Sequence, residues 1–200
     1  MQILIILAHP RKGSFNHAIA GVVADALRSD GHEVILHDLY AEQFDPVLLH
    51  DEIPRNATLS PPVAAHCAEI AGADGIVIVH PDWWGMPPAI LTGWIDRVLR
   101  PGVAYRFLET DSGAGVPEGL LKAKAVIVFN TSNTPLEREQ RVFGDPLERI
   151  WKDCIFSLCG VPVFSRKMYG VVVTSTEEQR KEWLLEVQHR VQELFPRDCS

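Results

Sequence analysis

Apolar positions in this chain fall into short blocks separated by polar or helically periodic stretches. Residues 2–8, QILIILA, run apolar without a break and stop at His9-Pro10, which predicts a strand buried on both faces. Next, Ile19, Val22, Val23, Ala26 and Leu27 recur at helical spacing, with Ser14 placed as an N-cap and Gly31 placed to end the helix. EVILHDLY, residues 33–40, predicts a second strand. Residues 41–60 are polar, carry prolines and show no period; they predict a long connection, of a kind that often has a function of its own. A helix over 61–71 follows, then strands at 74–80, 124–130 and 168–174, with helices at 88–99, 145–159 and 176–195. In the helix at 145–159 the apolar face reads Leu147, Ile150, Trp151, Cys154, Ile155 and Leu158.

Five strand–helix units without a repeat, a low-complexity tract or a linker predict one α/β domain over residues 1–200. Parallel strands need long right-handed crossovers, so the helices cover both faces of the sheet in a three-layer α/β/α arrangement. The common solution for five strands is the flavodoxin-like, doubly wound parallel sheet of order 2-1-3-4-5. Such sheets bind ligands beyond the carboxyl ends of the strands, at the switch point between strands 1 and 3. The loops after strands 1, 3 and 4 should therefore line one crevice. They read HPRKGSFN (9–16), HPDWWGMP (80–87) and NTSNTP (130–135).

The first loop enters a helix N-terminus, where free N–H groups and the helix dipole favour an anion. Ser14, Asn16 and His9 can add hydrogen bonds, although helix capping by Ser14 accounts for the loop alone equally well. Neither a Walker A loop nor GxGxxG is present. In the second loop Trp83 and Trp84 offer flat faces, and Gly85, Pro87 and Pro88 fix a turn where backbone can approach a planar ligand. The third loop, Asn130, Thr131, Ser132 and Asn133, is small and polar enough to line a ring edge. Together the three suit a phosphorylated planar cofactor, for which a flavin is the natural candidate.

Charge narrows the field. A net charge of −7 argues against a general nucleic-acid binder and against docking on an anionic membrane. The basic pairs Arg11-Lys12, Arg166-Lys167 and Arg180-Lys181 are far apart and read as solvated charges. No apolar run has membrane-spanning length, and the start lacks the pattern of a signal peptide, so a cytoplasmic protein without membrane insertion is expected. Cys67, Cys154, Cys159 and Cys199 lack CxxC spacing and read as thiols of a reduced core. His17, His32, His37, His50, His66 and His189 show no ligand spacing; surface or helix-face positions and no metal are expected. Trp94 and Trp151 lie on predicted helices and read as core.

At these residues the chain resembles the NAD(P)H:quinone oxidoreductase family, the DT-diaphorase type of flavodoxin-like enzyme. The markers are AHP…SFN, DLY…FDP, the block PDWWGMPPAILTGWIDRV, GVAY, and FGDP…CG, which together cover most of the chain. The resemblance implies a cytoplasmic homodimer that reduces quinones or similar small acceptors with NAD(P)H, by two-electron ping-pong hydride transfer through FAD, with FMN as the alternative. It implies that His9, Ser14, Phe15 and Asn16 hold the flavin phosphates. Pro81, Asp82, Trp83, Trp84 and Gly85 would run along the ring, and Asn130 to Asn133 would lie near its pyrimidine end. Tyr105 and Phe107 would wall the substrate pocket across a dimer interface, beside Trp83 and Phe143. Trp83 is expected along the ring; Trp84 is expected to pack beneath it or to face a partner chain. A Tyr and a His that relay charge in mammalian members are missing, and Phe143 stands where the His is expected. No catalytic side chain is therefore assigned. The same resemblance admits a regulatory subunit of a potassium-efflux system, and the fold alone a one-electron carrier.

Overall fold

The computed structural model describes residues 1–108, 115 and 117–197; Cys199 lies outside them. Among the described residues seven strands are present: β1 (Gln2–Leu7), β2 (Glu33–Asp38), β3 (Gly75–Pro81), β4 (Tyr105–Arg106), β5 (Glu118–Gly119), β6 (Ala125–Thr131) and β7 (Val163–Tyr169). Five of them form one parallel sheet in the order β2-β1-β3-β6-β7, the predicted topology. The antiparallel pair β4-β5, with two residues in each strand, was not anticipated.

The helices are α1 (Phe15–Ser29), α2 (Pro61–Gly72), α3 (Ala89–Val98), α4 (Leu136–Arg138), α5 (Pro146–Arg149) and α6 (Glu177–Leu194). Residue alternation along the central strands splits the core in two. Leu4, Ile6, Ile76, Ile78, Val126 and Val128 face Ile70, Trp94 and Trp151 on one side of the sheet. Ile3, Ile5, Val77, Val79, Ile127 and Phe129 face Ile19, Val23, Val187 and Val191 of α1 and α6 on the other. Strands β3 and β6 are buried along their whole length, which explains why their sequence is a continuous apolar run.

Two expectations fail for local reasons. The predicted strand at 168–174 is displaced: β7 is Val163–Tyr169. It is an edge strand carrying Arg166 and Lys167, which pair with Asp145, Glu148 and Glu186, so its polarity hid it. The apolar Val172 and Val173 beyond it instead line the crevice described below. The helix predicted at 145–159 winds as a π-helix over Ile150–Phe156. In that wider turn residues five apart share a face. Trp151 therefore stacks on Phe156 at 5.8 Å, and Cys154 points to solvent where an α-helical face would have buried it. Cys67 and Cys159 are buried thiols, as expected.

The connection 41–60 folds back on α3. A methyl group on Gly93 would lie 2.1 Å from the Pro46 carbonyl oxygen, so only glycine permits this approach. Arg97 donates to both oxygens of buried Glu52, at 2.8 and 2.5 Å, and to the carbonyl of Asp45 at 2.6 Å. No helix among the described residues is long and apolar enough to cross a membrane.

Candidate active site

Strands β1, β3 and β6 run in register, with Pro81 opposite Thr131, so their carboxyl ends open onto one edge. A crevice of about 1190 Å³ lies there. This exceeds the usual range of about 300–1,000 Å³ for small-molecule sites.

From the β1–α1 loop, His9, Ser14, Phe15 and Asn16 line the crevice, as do Arg11 and Gly13. Ser14 is the N-cap of α1, its hydroxyl accepting from the His17 N–H at 3.4 Å. The Asn16 side-chain N–H donates to the Thr131 hydroxyl at 2.9 Å and ties the start of α1 to the end of β6. Its carbonyl oxygen, Oδ1, is buried without a partner. Buried polar atoms are normally satisfied, so an orphan on a crevice wall marks a place for a ligand or water.

From the loop after β3, Pro81, Asp82, Trp83, Trp84 and Gly85 also line the crevice. Trp83 and Met86 exchange two backbone hydrogen bonds at 3.1 Å, closing a two-residue turn. Trp84 and Gly85 at its centre have φ of 61° and 70°. Positive φ at both central positions is the geometry of a type I′ turn, costly for a bulky residue such as Trp84. The Gly85 N–H donates to Asp82 Oδ1 at 2.9 Å and braces the turn. Trp83 is half exposed, 6.3 Å from the His9 ring. Trp84 is 98% exposed. The expectation that it packs beneath the ring site fails, because the left-handed turn throws the indole outward.

From the loop after β6, Thr131, Ser132 and Asn133 line the crevice and Asn130 does not. Asn130 is fully buried behind it; its Oδ1 accepts from Arg166 at 2.6 Å, and its Nδ2 is buried without a partner. Arg166 also bonds Asp145 and Glu148, fastening the start of α5 to β7. Phe143 lines the crevice, half exposed. Tyr105 and Phe107 do not; they pack edge-to-face on each other at 5.7 Å on and beside β4, with Arg55 over the Phe107 ring. No described residue of 41–60 reaches the crevice either.

Three charged lining groups were not expected from the sequence. Arg11 and Arg180, expected as solvated charges, both face the crevice. Arg11 sits in the phosphate-type loop, a position that was readable; Arg180 is brought in by α6, where no local pattern marks it. Glu139 is the third. It is 2% exposed, its Oε1 has no partner, and it hydrogen-bonds to Asp82. Burial pushes both carboxyls above the usual carboxylate range, and the Asp82 charge and hydrogen bond raise Glu139 further. Each carboxyl therefore keeps its proton to a higher pH than a free one would.

The histidines are also not all surface groups. His80 is fully buried, donating from Nδ1 to the Pro81 carbonyl at 2.8 Å and accepting the Trp151 indole N–H at 3.0 Å. Burial lowers its pKa to about 4, so the ring is neutral. His32 and His66 are buried. His37, Glu42 and His66 place one ligand atom each within 4.8 Å of one another, the one such group of three among the described residues. The Trp94 indole N–H donates to His66 Nδ1 at 3.1 Å, which leaves the proton of the neutral ring on Nε2. Both nitrogens of His37 face carboxylates, Glu42 at 2.8 Å and Glu69 at 2.7 Å. The cluster as built is a hydrogen-bond network in which the Nδ1 lone pair of His66 is already engaged by Trp94.

Residues 1–191 match the family model described as the flavodoxin-like fold. The chain is 33% identical over 185 residues to an uncharacterized NAD(P)H oxidoreductase of Haemophilus influenzae, covering 90% of this chain and 89% of that one. It is 33% identical over 188 residues to NAD(P)H dehydrogenase [quinone] 1 of Rattus norvegicus, covering 82% and 67%. Among solved structures it is similar to Smu.1420 from Streptococcus mutans, with a TM-score of 0.82, 29% identity and coverage of 96% and 100%.

Proposed function

The chain belongs to the flavodoxin-like NAD(P)H:quinone oxidoreductase family, and from that premise we propose that it binds a flavin in the crevice and passes two electrons from NAD(P)H to quinones or similar small acceptors. The convergence of three loops carries this reading. An anion-favouring helix N-terminus, an aromatic turn and a small polar loop meet on one cavity. The residues fit such a cofactor: the orphaned Asn16 Oδ1 and Glu139 Oε1 offer polar partners, and the space over Gly13 is open.

When bound, the flavin supplies reversible two-electron chemistry, and the protein supplies orientation and charge. The N–H groups of Gly13, Phe15 and Asn16, with the side chains of Ser14 and Arg11, would hold the phosphate end. The turn at 82–85 and the small polar loop of Thr131, Ser132 and Asn133 would hold the ring. Trp83 and Phe143 flank the slot that nicotinamide and acceptor occupy in turn, which gives ping-pong kinetics. Asp82 and Glu139, both with raised carboxyl pKa, would be the groups able to hold a proton beside the ring site where the family's Tyr and His are missing. The cavity volume leaves room for FAD. The 41–60 segment, packed on α3, adds no cover for its adenosine, so FMN is the other outcome of the assay.

We further infer a cytoplasmic homodimer in which Tyr105 and Phe107 close the crevice of the second copy; sedimentation at twice the chain mass is the expected result. The central test is direct. Purified protein is loaded with flavin, the flavin is released by heat and identified by chromatography, and NAD(P)H oxidation is followed with a quinone. Parallel double-reciprocal lines are expected. A protein that takes up neither flavin and leaves NAD(P)H unoxidised overturns the reading.

A further inference from the structure

Ser14 does more than cap α1. Its hydroxyl oxygen lies 2.8 Å from His17 Nδ1, and His17 Nε2 lies 3.1 Å from Asp38 Oδ2. Asp38 Oδ1 accepts the N–H groups of Tyr40 and Ala41 at 3.2 Å each, which fixes the carboxylate at the end of β2. A carboxylate only accepts, so His17 Nε2 carries a proton. In the neutral ring Nδ1 is then a lone pair, and Ser14 must give it its only O–H. Toward the crevice, which Ser14 lines at 3% exposure, the residue presents oxygen lone pairs that oppose an anion. With a second proton on the ring the bond reverses. Nδ1–H and the His17 backbone N–H both donate to Ser14, and the Ser14 O–H turns into the crevice.

We propose that Asp38, His17 and Ser14 form a proton-coupled latch on the anion cradle: holding a cofactor phosphate draws one proton from solvent onto His17 Nδ1 and frees the Ser14 hydroxyl to donate to a phosphate oxygen. This rests on the flavin reading and deepens it. His17 and Asp38 are positioning residues that act through Ser14. The step is balanced as one proton taken up per phosphate held, with no covalent bond changed. The other titratable or charged groups facing the latch are His9, 6.2 Å from the His17 ring, and Arg11. His9 is a poor competitor for the proton. Its Nδ1 already accepts from the Arg11 N–H at 3.1 Å, and burial lowers its pKa.

The test is calorimetry on the full chain in two buffers of different ionisation enthalpy, which counts protons taken up. The ligands are FMN, riboflavin (the same ring without phosphate) and inorganic phosphate, and the proteins are wild type, His17→Gln and Ser14→Ala. The amide introduced by His17→Gln can still accept from Ser14 or donate to Asp38, and it cannot take a proton; the phosphate's own ionisation is common to all three proteins. Wild type is expected to take up more protons than either variant with FMN and with inorganic phosphate, and the same number with riboflavin. Its FMN affinity relative to His17→Gln should rise on acidification, up to about tenfold per pH unit for one coupled proton. Equal proton counts in wild type and His17→Gln overturn the latch, as does full uptake retained by Ser14→Ala. If no flavin binds in any protein, the flavin reading fails, and the inorganic phosphate counts still decide the latch.

Discussion

Two pairs of tryptophans meet opposite fates in this fold. Trp94 and Trp151 are fully buried, one on α3 and one in the π-helix, and each gives its indole N–H to a buried histidine, His66 or His80. Trp83 and Trp84 sit in a turn at the crevice mouth, 41% and 98% exposed. A buried indole needs a partner for its N–H, so the core recruited two neutral imidazoles. The exposed pair contributes little to the core, yet the chain holds Trp84 at positive φ, at a cost of about 1–3 kcal/mol. Strain that folding does not require points to a surface shaped for a ligand or a second copy.

The comparison breaks most readily on stability. Trp94→Ala and Trp151→Ala should each destabilise by about 3–5 kcal/mol in urea unfolding, while Trp83→Ala should leave the midpoint close to wild type. Equal losses would mean the exposed pair is structural after all.

Acid should act on the buried pair next. His66 and His80 are held near a pKa of about 4 against an ordinary 6.5, in both cases chiefly by burial. Between those values the unfolded chain binds the extra protons, so stability is full above pH 6.5 and falls as pH drops toward 4. On the order of 2–3 kcal/mol per histidine is at stake. A urea midpoint flat over that range would show the rings charging without cost.

On the exposed side, Trp83→Ala should weaken flavin binding by about tenfold, read by fluorescence titration. Glu139→Gln probes the carboxyl pair behind the turn. A carboxyl whose folded pKa is raised favours the fold when protonated and loses that contribution as pH rises. The variant should therefore gain stability relative to wild type as pH rises; a gain that grows instead toward acid would refute the raised carboxyl pKa. Smallest of all, Trp84→Ala should change stability by within about 0.5 kcal/mol. A larger loss would restore the packing role that its exposure denies.

How much of this was readable varies with the residues. The runs at 2–8, 74–80 and 124–130 announced β1, β3 and β6, because strands buried on both faces have no choice but to be apolar. β7 was not readable, since an edge strand can carry Arg166 and Lys167 if acids elsewhere meet them. Most of the loop residues nominated for the crevice do line it. Asn130 was the exception: it is the last inward position before the sheet opens, and Arg166 takes its side chain. Tyr105 and Phe107 do not line the crevice of their own chain.

The sequence by itself determined the order of elements, the sheet topology and the edge where the loops gather. Those follow from hydrophobic period, right-handed crossovers and turn residues, which act over a few positions at a time. Only the tertiary structure decided which polar groups meet. Asp38 reaches His17 across 21 residues and Asn130 reaches Arg166 across 36; Asp82 comes from the loop after β3 and Glu139 from the π-helical turn after β6. No local pattern encodes such pairs, because each exists only where burial removes water and leaves the two groups to satisfy one another.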